Sequence, residues 1–494
     1  MKMKKIRNVI SLCSVLLSVT VNAAPAPVTV SVTTSQPGHV ISPTSIGVSY
    51  EIELLEPENG ELPYFRPDNK PLVAMFKTLG IKNLRLGGNT LDYTKKTGAN
   101  EEQIASVFEF AKAAGAEVIY SVRLKDTNQK GEPEAPNFNI DYAAKAARFI
   151  RAEYPDVLDS FAIGNEPYYY KDWDIYSAKW KAIRDAIVAE YPEAVFSGPD
   201  HNPNEELDNN MVREFSNGTG PLVKIARHFY PFGCAYENPR RAKGEELIPK
   251  NEVESRELML SSSLHTKYGN VYKRITQAQA LSDADVSYRL TESNSFSMSG
   301  LKDVSDSYAS ALWGLDYLCW WAAHESEGID FHTGDKTSGA GMCKYAVFVT
   351  SGNGYEARPL AYGMKMFDIG GHGKMLPIEN SAKDLAVYAT LNDDLVAVTL
   401  INKEHGDEAE EQLVKIKLDT AVDAATAEII FLRGRNNDIA GGSADVTLGG
   451  VQINEDGTWD GEWSPLSEFG VIQGDELEVK MPPASAAVVR VAIR

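Results

Sequence analysis

The chain has 494 residues, 43% hydrophobic and 24% charged, with 38 glycines and 24 prolines spread along it; this is a globular composition and excludes disordered and collagen-like classes. Its 49 basic against 69 acidic residues leave a net charge of −20, which repels nucleic acid and anionic membrane and favours a neutral or locally coordinated ligand.

The chain opens on Lys2, Lys4, Lys5 and Arg7, continues with an apolar run from Val9 to Val21, and reaches Val21-Asn22-Ala23. That order is the one of a secretory signal peptide, so residues 1–23 are expected to be removed after Ala23 and the protein exported to the periplasm or beyond. The apolar run is shorter than the roughly 20 residues a spanning helix needs, and no later stretch comes closer. Leu12 is too large before Cys13 for a lipid-anchor signal. Cys234, Cys319 and Cys343 remain beyond the leader, an odd number that points to no disulfide framework.

Residues 24–43 hold one alternating stretch, Val28 to Thr34, expected to be a strand of a sandwich completed by the other end of the chain. From 44 to 371 short apolar runs alternate with amphipathic stretches in eight units. The strands are expected at Ile46 to Glu51, Asn83 to Leu86, Glu117 to Val122, Ser160 to Gly164, Ala194 to Gly198, Lys224 to Tyr230, Ser287 to Glu292 and Ile329 to His332. Helices are expected at Glu101 to Ala114, Tyr142 to Glu153, Ile175 to Glu190, Glu252 to Leu281 and Ser305 to His324. Eight units over this length predict an α/β fold, a (β/α)₈ barrel; a doubly wound sheet is the alternative, but no glycine-rich phosphate loop opens a helix.

From 372 to 494 alternation takes over, with strands expected at Leu385 to Thr390, Leu395 to Ile401, Gln412 to Leu418, Ala427 to Leu432 and Ala486 to Ile493, separated by turn residues. This is the C-terminal part of the β-sandwich. Glu408 to Glu411 read as a solvated loop, and Asn217-Gly218-Thr219 matches a glycosylation sequon to which no role is given.

In such a barrel chemistry sits at the C-terminal ends of strands, so a polar residue that closes an apolar run is the signal to look for. Glu166 closes Phe161-Ala162-Ile163-Gly164-Asn165-Glu166 on the fourth barrel strand, and Glu292 closes Tyr288-Arg289-Leu290-Thr291-Glu292 on the seventh. Two carboxyls facing each other across a barrel mouth are what glycosidic cleavage needs. One protonates the departing oxygen while the other stabilises or traps the positive sugar carbon. Burial and the partner's charge would keep one of them protonated near neutral pH.

Asn165-Glu166-Pro167 with a strand-seven glutamate resembles the clan A retaining glycoside hydrolases, and within them the chain is most similar to glycoside hydrolase family 79, the heparanase-like β-glucuronidases. The matching stretches are 46–51, 83–89, 162–167, 290–295, 304–306 and 358–363, which span the barrel. The resemblance implies Glu166 as acid/base and Glu292 as nucleophile, about 5 to 5.5 Å apart, with net retention of configuration. It implies Asn165 on the sugar 2-hydroxyl, Arg85 and Tyr230 flanking Glu292, Glu51 and Asn89 on the remaining hydroxyls, and Tyr345 on the sugar carboxylate. It further implies a β-sandwich built from both chain termini.

The loop after Glu292 departs from the family, with Ser297 where a carboxylate-binding tyrosine stands and Ser299 at a glycine position. Serine hydroxyls, backbone N–H groups and Lys302 remain as donors to a carboxylate. The expected activity is an exo-acting retaining β-glucuronidase on a glucuronic-acid-containing glycan or glycoconjugate. A neutral or other uronic sugar, and a barrel that binds carbohydrate without turnover, stay open.

His228, His324 and His332 lie on separate elements without paired ligand spacing, so no metal and no cofactor are expected, and His228 and His332 read as pocket residues. Tyr168, Tyr169, Tyr170 and Trp173 follow the acid/base strand and are either a sugar-stacking platform or ordinary loop packing. Trp313 and Trp320 read as core.

Overall fold

Strand β1 (Val28–Val32) lies ahead of eight strands that close on themselves: β2 (Ile46–Glu51), β3 (Asn83–Gly87), β4 (Glu117–Val122), β5 (Leu158–Ile163), β6 (Phe196–His201), β7 (Val223–Phe229), β8 (Tyr288–Ser293) and β9 (Ile329–His332). Each pairs in parallel with its neighbours, and β9 returns to β2. Closure rules out the doubly wound alternative. A computed structural model describes residues 27–57, 62–93, 98–125, 137–202, 204–216, 223–233, 249–335, 342–382 and 384–494; the leader with Cys13, Cys234 and the sequon lie outside these.

Barrel strands carry side chains into the barrel on one face and under helices on the other, so every residue of β3 and of β8 is buried. At the N-terminal end of the barrel Arg289 bonds both Asp330 oxygens, at 2.9 and 2.8 Å, a place where charge pairing serves stability.

The outer helices are α1 (Lys70–Thr78), α2 (Thr90–Tyr93), α3 (Glu101–Ala114), α4 (Phe138–Glu153), α5 (Trp173–Glu190), α6 (Glu205–Phe215), α7 (Glu252–Leu260), α8 (Leu264–Gln279), α9 (Tyr308–Ala322) and α10 (Pro359–Gly370). Local chemistry sets their ends. Asn100 and Gln103 form a capping box at the start of α3, and Gly115 ends it in the left-handed region. The single helix expected over 252–281 is two, α7 and α8. Ser261 and Ser263 bond each other and the Ser263 N–H bonds the Ser261 hydroxyl, an alternative to helical bonding that breaks the run.

The sandwich draws on both ends of the chain, as expected. One sheet has the order Ile378–Asn380, β1, Gln412–Leu418, Glu476–Met481, Gly470–Gln473, with β1 parallel to Gln412–Leu418. The other runs Lys374–Met375, Leu385–Asn392, Leu395–Asn402, Ser485–Ala492, Glu428–Gly434, Val446–Leu448. Its two faces divide the apolar residues. Val398, Leu400 and Val489 face the first sheet, while Ile401, Ile430 and Val488 join the barrel's core. Buried Asp316 of α9 pins the docking through Lys403 and Tyr388 of the sandwich, each at 2.8 Å, and also bonds His265 of α8 at 2.8 Å. Trp313, Trp320 and Trp321 are buried in α9 as core, and residues 408–411 form a loop with exposed glutamates.

Candidate active site

The ends of β2, β3, β5, β6, β7, β8 and β9 surround an open cavity of about 890 Å³ at the C-terminal mouth of the barrel. Glu51, Asn89, Glu166, Tyr230, Glu292, Ser297, Ser299, His332 and Tyr345 all line it. The nearest carboxylate oxygens of Glu166 and Glu292 lie within 4.8 Å of each other. That matches the spacing of about 5 to 5.5 Å for attack by one carboxylate, and is well short of the roughly 6.5 to 9.5 Å that leaves room for a water.

The two glutamates are held differently. Glu292 Oε2 accepts from Arg85 Nη1 at 2.8 Å and Oε1 from the Tyr230 hydroxyl at 2.9 Å. Burial alone would raise its pKa, but the charges of His332, His228 and Arg85 and the Tyr230 bond reverse this and hold it well below the usual carboxylate range. Glu292 is therefore an oriented anion. Glu166 accepts from Asn202 Nδ2 at 2.8 Å, with His228 Nδ1 at 3.2 Å.

Glu166 stands on a backbone turn that few residues adopt, with φ +44°. Gly164 before it has φ +84°, and a side chain there would meet Leu124 at 2.8 Å. Such a turn persists only when its surroundings over-determine it. The Glu166 N–H bonds Asp200 O at 2.9 Å, and buried Asp92 accepts from the Asn165 N–H at 3.3 Å and the Tyr169 hydroxyl at 2.9 Å. Asp92 also accepts from the N–H groups of Leu124 and Lys125, so one carboxylate ties the ends of β4 and β5 together.

Arg85 is the hub beneath the cavity. It is fully buried and donates to Glu292, to Ser49 Oγ at 3.0 Å, to Asn165 Oδ1 at 2.7 Å and to Asp200 Oδ2 at 3.3 Å. Asn165, 3% exposed, sits below the cavity wall, and its amide oxygen is engaged by Arg85. Asp200 also faces His228 Nε2 at 3.4 Å. Burial would lower the pKa of His228, but Glu292, Asp200 and Glu166 outweigh it and push it up to about 9, so this ring stays charged through neutral pH.

Glu51 accepts from the N–H groups of Asn89 at 3.2 Å and Thr90 at 2.8 Å, at the start of α2. Gly88 allows this approach, since a side chain there would lie 2.4 Å from the Glu51 carboxyl carbon. His332 Nε2 is 3.6 Å from Glu51 and its Nδ1 4.0 Å from Glu292. The Tyr345 ring lies nearly parallel to that of Tyr230, with centroids 6.2 Å apart.

One lysine is reassigned. Lys302 is mostly exposed and pairs with Asp303 at 3.4 Å, while the lysine in the cavity wall is Lys344, whose Nζ donates to Gly300 O at 3.2 Å and whose N–H donates to Ser299 O at 2.7 Å. The loop just before Lys302 runs through three successive left-handed residues, Met298, Ser299 and Gly300. His324 lies away from the cavity, stacked on Trp320 at the end of α9. Glu166, His228 and Glu292 offer three donor atoms within 4.8 Å, a grouping the linear spacing of histidines did not disclose. Both oxygens of Glu292 are already engaged, and the guanidinium at 2.8 Å opposes a second cation there.

Asp200, Asn202, Asp92, Ser49 and Lys344 were missed in the sequence. Asp200 had a signal, because Phe196-Ser197-Gly198-Pro199-Asp200 ends an apolar strand on a carboxylate by the same rule that marks Glu166. The others carry no linear mark. Replacing Tyr230 by Phe removes a charge-assisted bond of about 1.5 to 3 kcal/mol, so kcat is expected to fall about 10 to 100-fold. That bond lowers the Glu292 pKa, so its loss moves the acid limb of the pH–rate profile to higher pH. An unshifted limb would show that the hydroxyl does not act on Glu292.

The molecule is thus a (β/α)₈ barrel with a β-sandwich built from both chain ends and a paired-carboxylate cavity at the barrel mouth. No protein-family model and no curated protein matches the sequence. Solved structures match its fold over nearly the whole chain. A 4-O-α-L-rhamnosyl-β-D-glucuronidase from Fusarium oxysporum 12S has TM-score 0.67 at 16% identity, covering 93% of this chain and 99% of that one. The GH51 arabinofuranosidase from Xanthomonas axonopodis pv. citri has TM-score 0.65 at 14% identity, covering 94% and 99%. A monomeric β-xylosidase from Caulobacter crescentus CB15 has TM-score 0.61 at 11% identity, with 94% and 99% covered. At these identities the likeness is one of fold.

Proposed function

We propose that the protein is a retaining glycoside hydrolase of the family 79 type that releases a terminal β-linked glucuronic acid from a glycan or glycoconjugate. The observation that carries this reading is the carboxylate pair, within 4.8 Å, with Glu292 held ionised by Arg85 and Tyr230. Glu292 attacks the anomeric carbon while Glu166 protonates the leaving oxygen. Glu166 then takes a proton from water, which displaces Glu292 with net retention. The solved structures whose fold it shares include an arabinofuranosidase, a β-xylosidase and a glucuronidase, which supports a glycosidase.

The uronic assignment rests on the β8–β9 side of the cavity, where Ser297, Ser299 and Lys344 supply donors for a carboxylate. The basic and apolar start of the chain supports export. The test is to assay chromogenic glucuronide, galacturonide, glucoside and xyloside side by side while following product anomers by NMR. The glucuronide is expected to lead by about 10 to 100-fold in kcat/KM, the worth of one charge-assisted contact of about 1.5 to 3 kcal/mol. A neutral sugar in the lead defeats the glucuronidase assignment. First release of the inverted anomer defeats the retaining mechanism.

A further inference from the structure

A second groove of about 240 Å³ adjoins the catalytic cavity on the side of Glu166, between the segment after β5 and the start of α6. Tyr168 lines both spaces and is 47% exposed, the most exposed tyrosine among the large hydrophobic residues of the described chain. The His201 ring meets it edge-on at 6.2 Å. Tyr176 also lines the groove, 2% exposed, with a buried hydroxyl that has no hydrogen-bond partner among the described residues.

We propose that this groove, with Tyr168 as its platform, is the subsite for the first leaving-group residue, and that it takes a neutral pyranose ring. The inference rests on the glycosidase reading and deepens it. The proton must reach the glycosidic oxygen from Glu166, so the leaving group departs over the β5–β6 side, away from the β8–β9 wall assigned to the uronate. That direction leads past Tyr168. An exposed aromatic face suits the C–H face of a sugar ring.

Charge selects against an anionic ring. Asp172 and Glu206 line the groove against the single cation of Lys171, whose amine donates to the Tyr168 carbonyl at 2.6 Å, so the lining is net negative. Burial pushes the His201 pKa below its ordinary value, so that ring adds no cation near neutral pH. A sulfated sugar would meet two carboxylates and one lysine there.

The test compares wild type, Tyr168→Ala and Tyr168→Phe on two glucuronides, β-glucuronosyl-galactose and β-D-glucuronyl fluoride, whose leaving group carries no ring. Xylobiose and β-xylosyl fluoride are run in parallel. Tyr168→Ala is expected to lose about 10-fold in kcat/KM on the disaccharide and nothing on the fluoride, and Tyr168→Phe to keep both, since the ring and not the hydroxyl is used. An equal loss on disaccharide and fluoride, or no loss on the disaccharide, overturns the subsite. The glycone that is turned over tests the glucuronidase reading separately, because the disaccharide-to-fluoride ratio reads Tyr168 for either sugar. A wild-type preference for a sulfated over the neutral disaccharide overturns the neutral assignment.

Discussion

Glu292→Gln is expected to abolish hydrolysis, with a loss of at least about 10⁴-fold in kcat, because it removes the nucleophile while keeping the shape of the site. The variant keeps hydrogen-bonding capacity toward Tyr230, and Asp200 remains as a countercharge for buried Arg85 at 3.3 Å, so the protein should fold. Thermal unfolding measured alongside separates chemistry from stability, since an uncompensated buried arginine would cost about 3 to 5 kcal/mol. The smaller Glu292→Ala opens space for azide, which would attack the anomeric carbon directly and give the glycosyl azide of inverted configuration. Wild-type turnover in Glu292→Gln would remove this residue from the reaction.

Loss of Glu166 should depend on the leaving group, which distinguishes it from loss of Glu292. Glu166→Ala is expected to reduce cleavage of a disaccharide by about 10² to 10⁴-fold, the worth of general acid catalysis. A dinitrophenyl glycoside needs no protonation to depart, so its first step should survive and the glycosyl-enzyme accumulate as a burst, because no base activates water for the second. Azide then speeds turnover and gives the azide of retained configuration. An equal loss on both substrates would mean that Glu166 shapes the site rather than transferring the proton. Asn202 and His228, at 2.8 and 3.2 Å from its carboxylate, would then be the groups whose arrangement it maintains.

The cavity separates residues that act from residues that place them. Arg85 and Asp200 lie buried under the wall, yet they set the direction of Glu292, Asn165 and His228 at once. Buried charge is costly unless fully paired, and here each charge has at least one opposite partner and hydrogen bonds besides. The charges of His332, His228 and Arg85 and the Tyr230 bond let Glu292 stay ionised although it is buried, and its place on β8 holds it in one orientation.

The barrel, the sandwich from both chain ends and the two glutamates were legible in the linear sequence, because strand periodicity and a polar residue closing an apolar run are local signals. Asp200 obeys the same rule and was readable in principle. Lys344 was not: several lysines follow the nucleophile strand, and only the left-handed run at 298–300 and the return of the chain after β9 place Lys344 in the wall and Lys302 in solvent. Asp92, on a four-residue helix after β3, carries no pattern that ties it to the turn under Glu166. His228 looked isolated for the same reason. Its partners stand on β6 and β8 and just past the end of β5, tens of residues away along the chain, and parallel strand pairing is what brings them together. Residue type and periodicity are properties of the chain, whereas ionisation, orientation and the Glu166 to Glu292 spacing depend on what the closed barrel brings within a few ångströms, and those the tertiary structure alone decided.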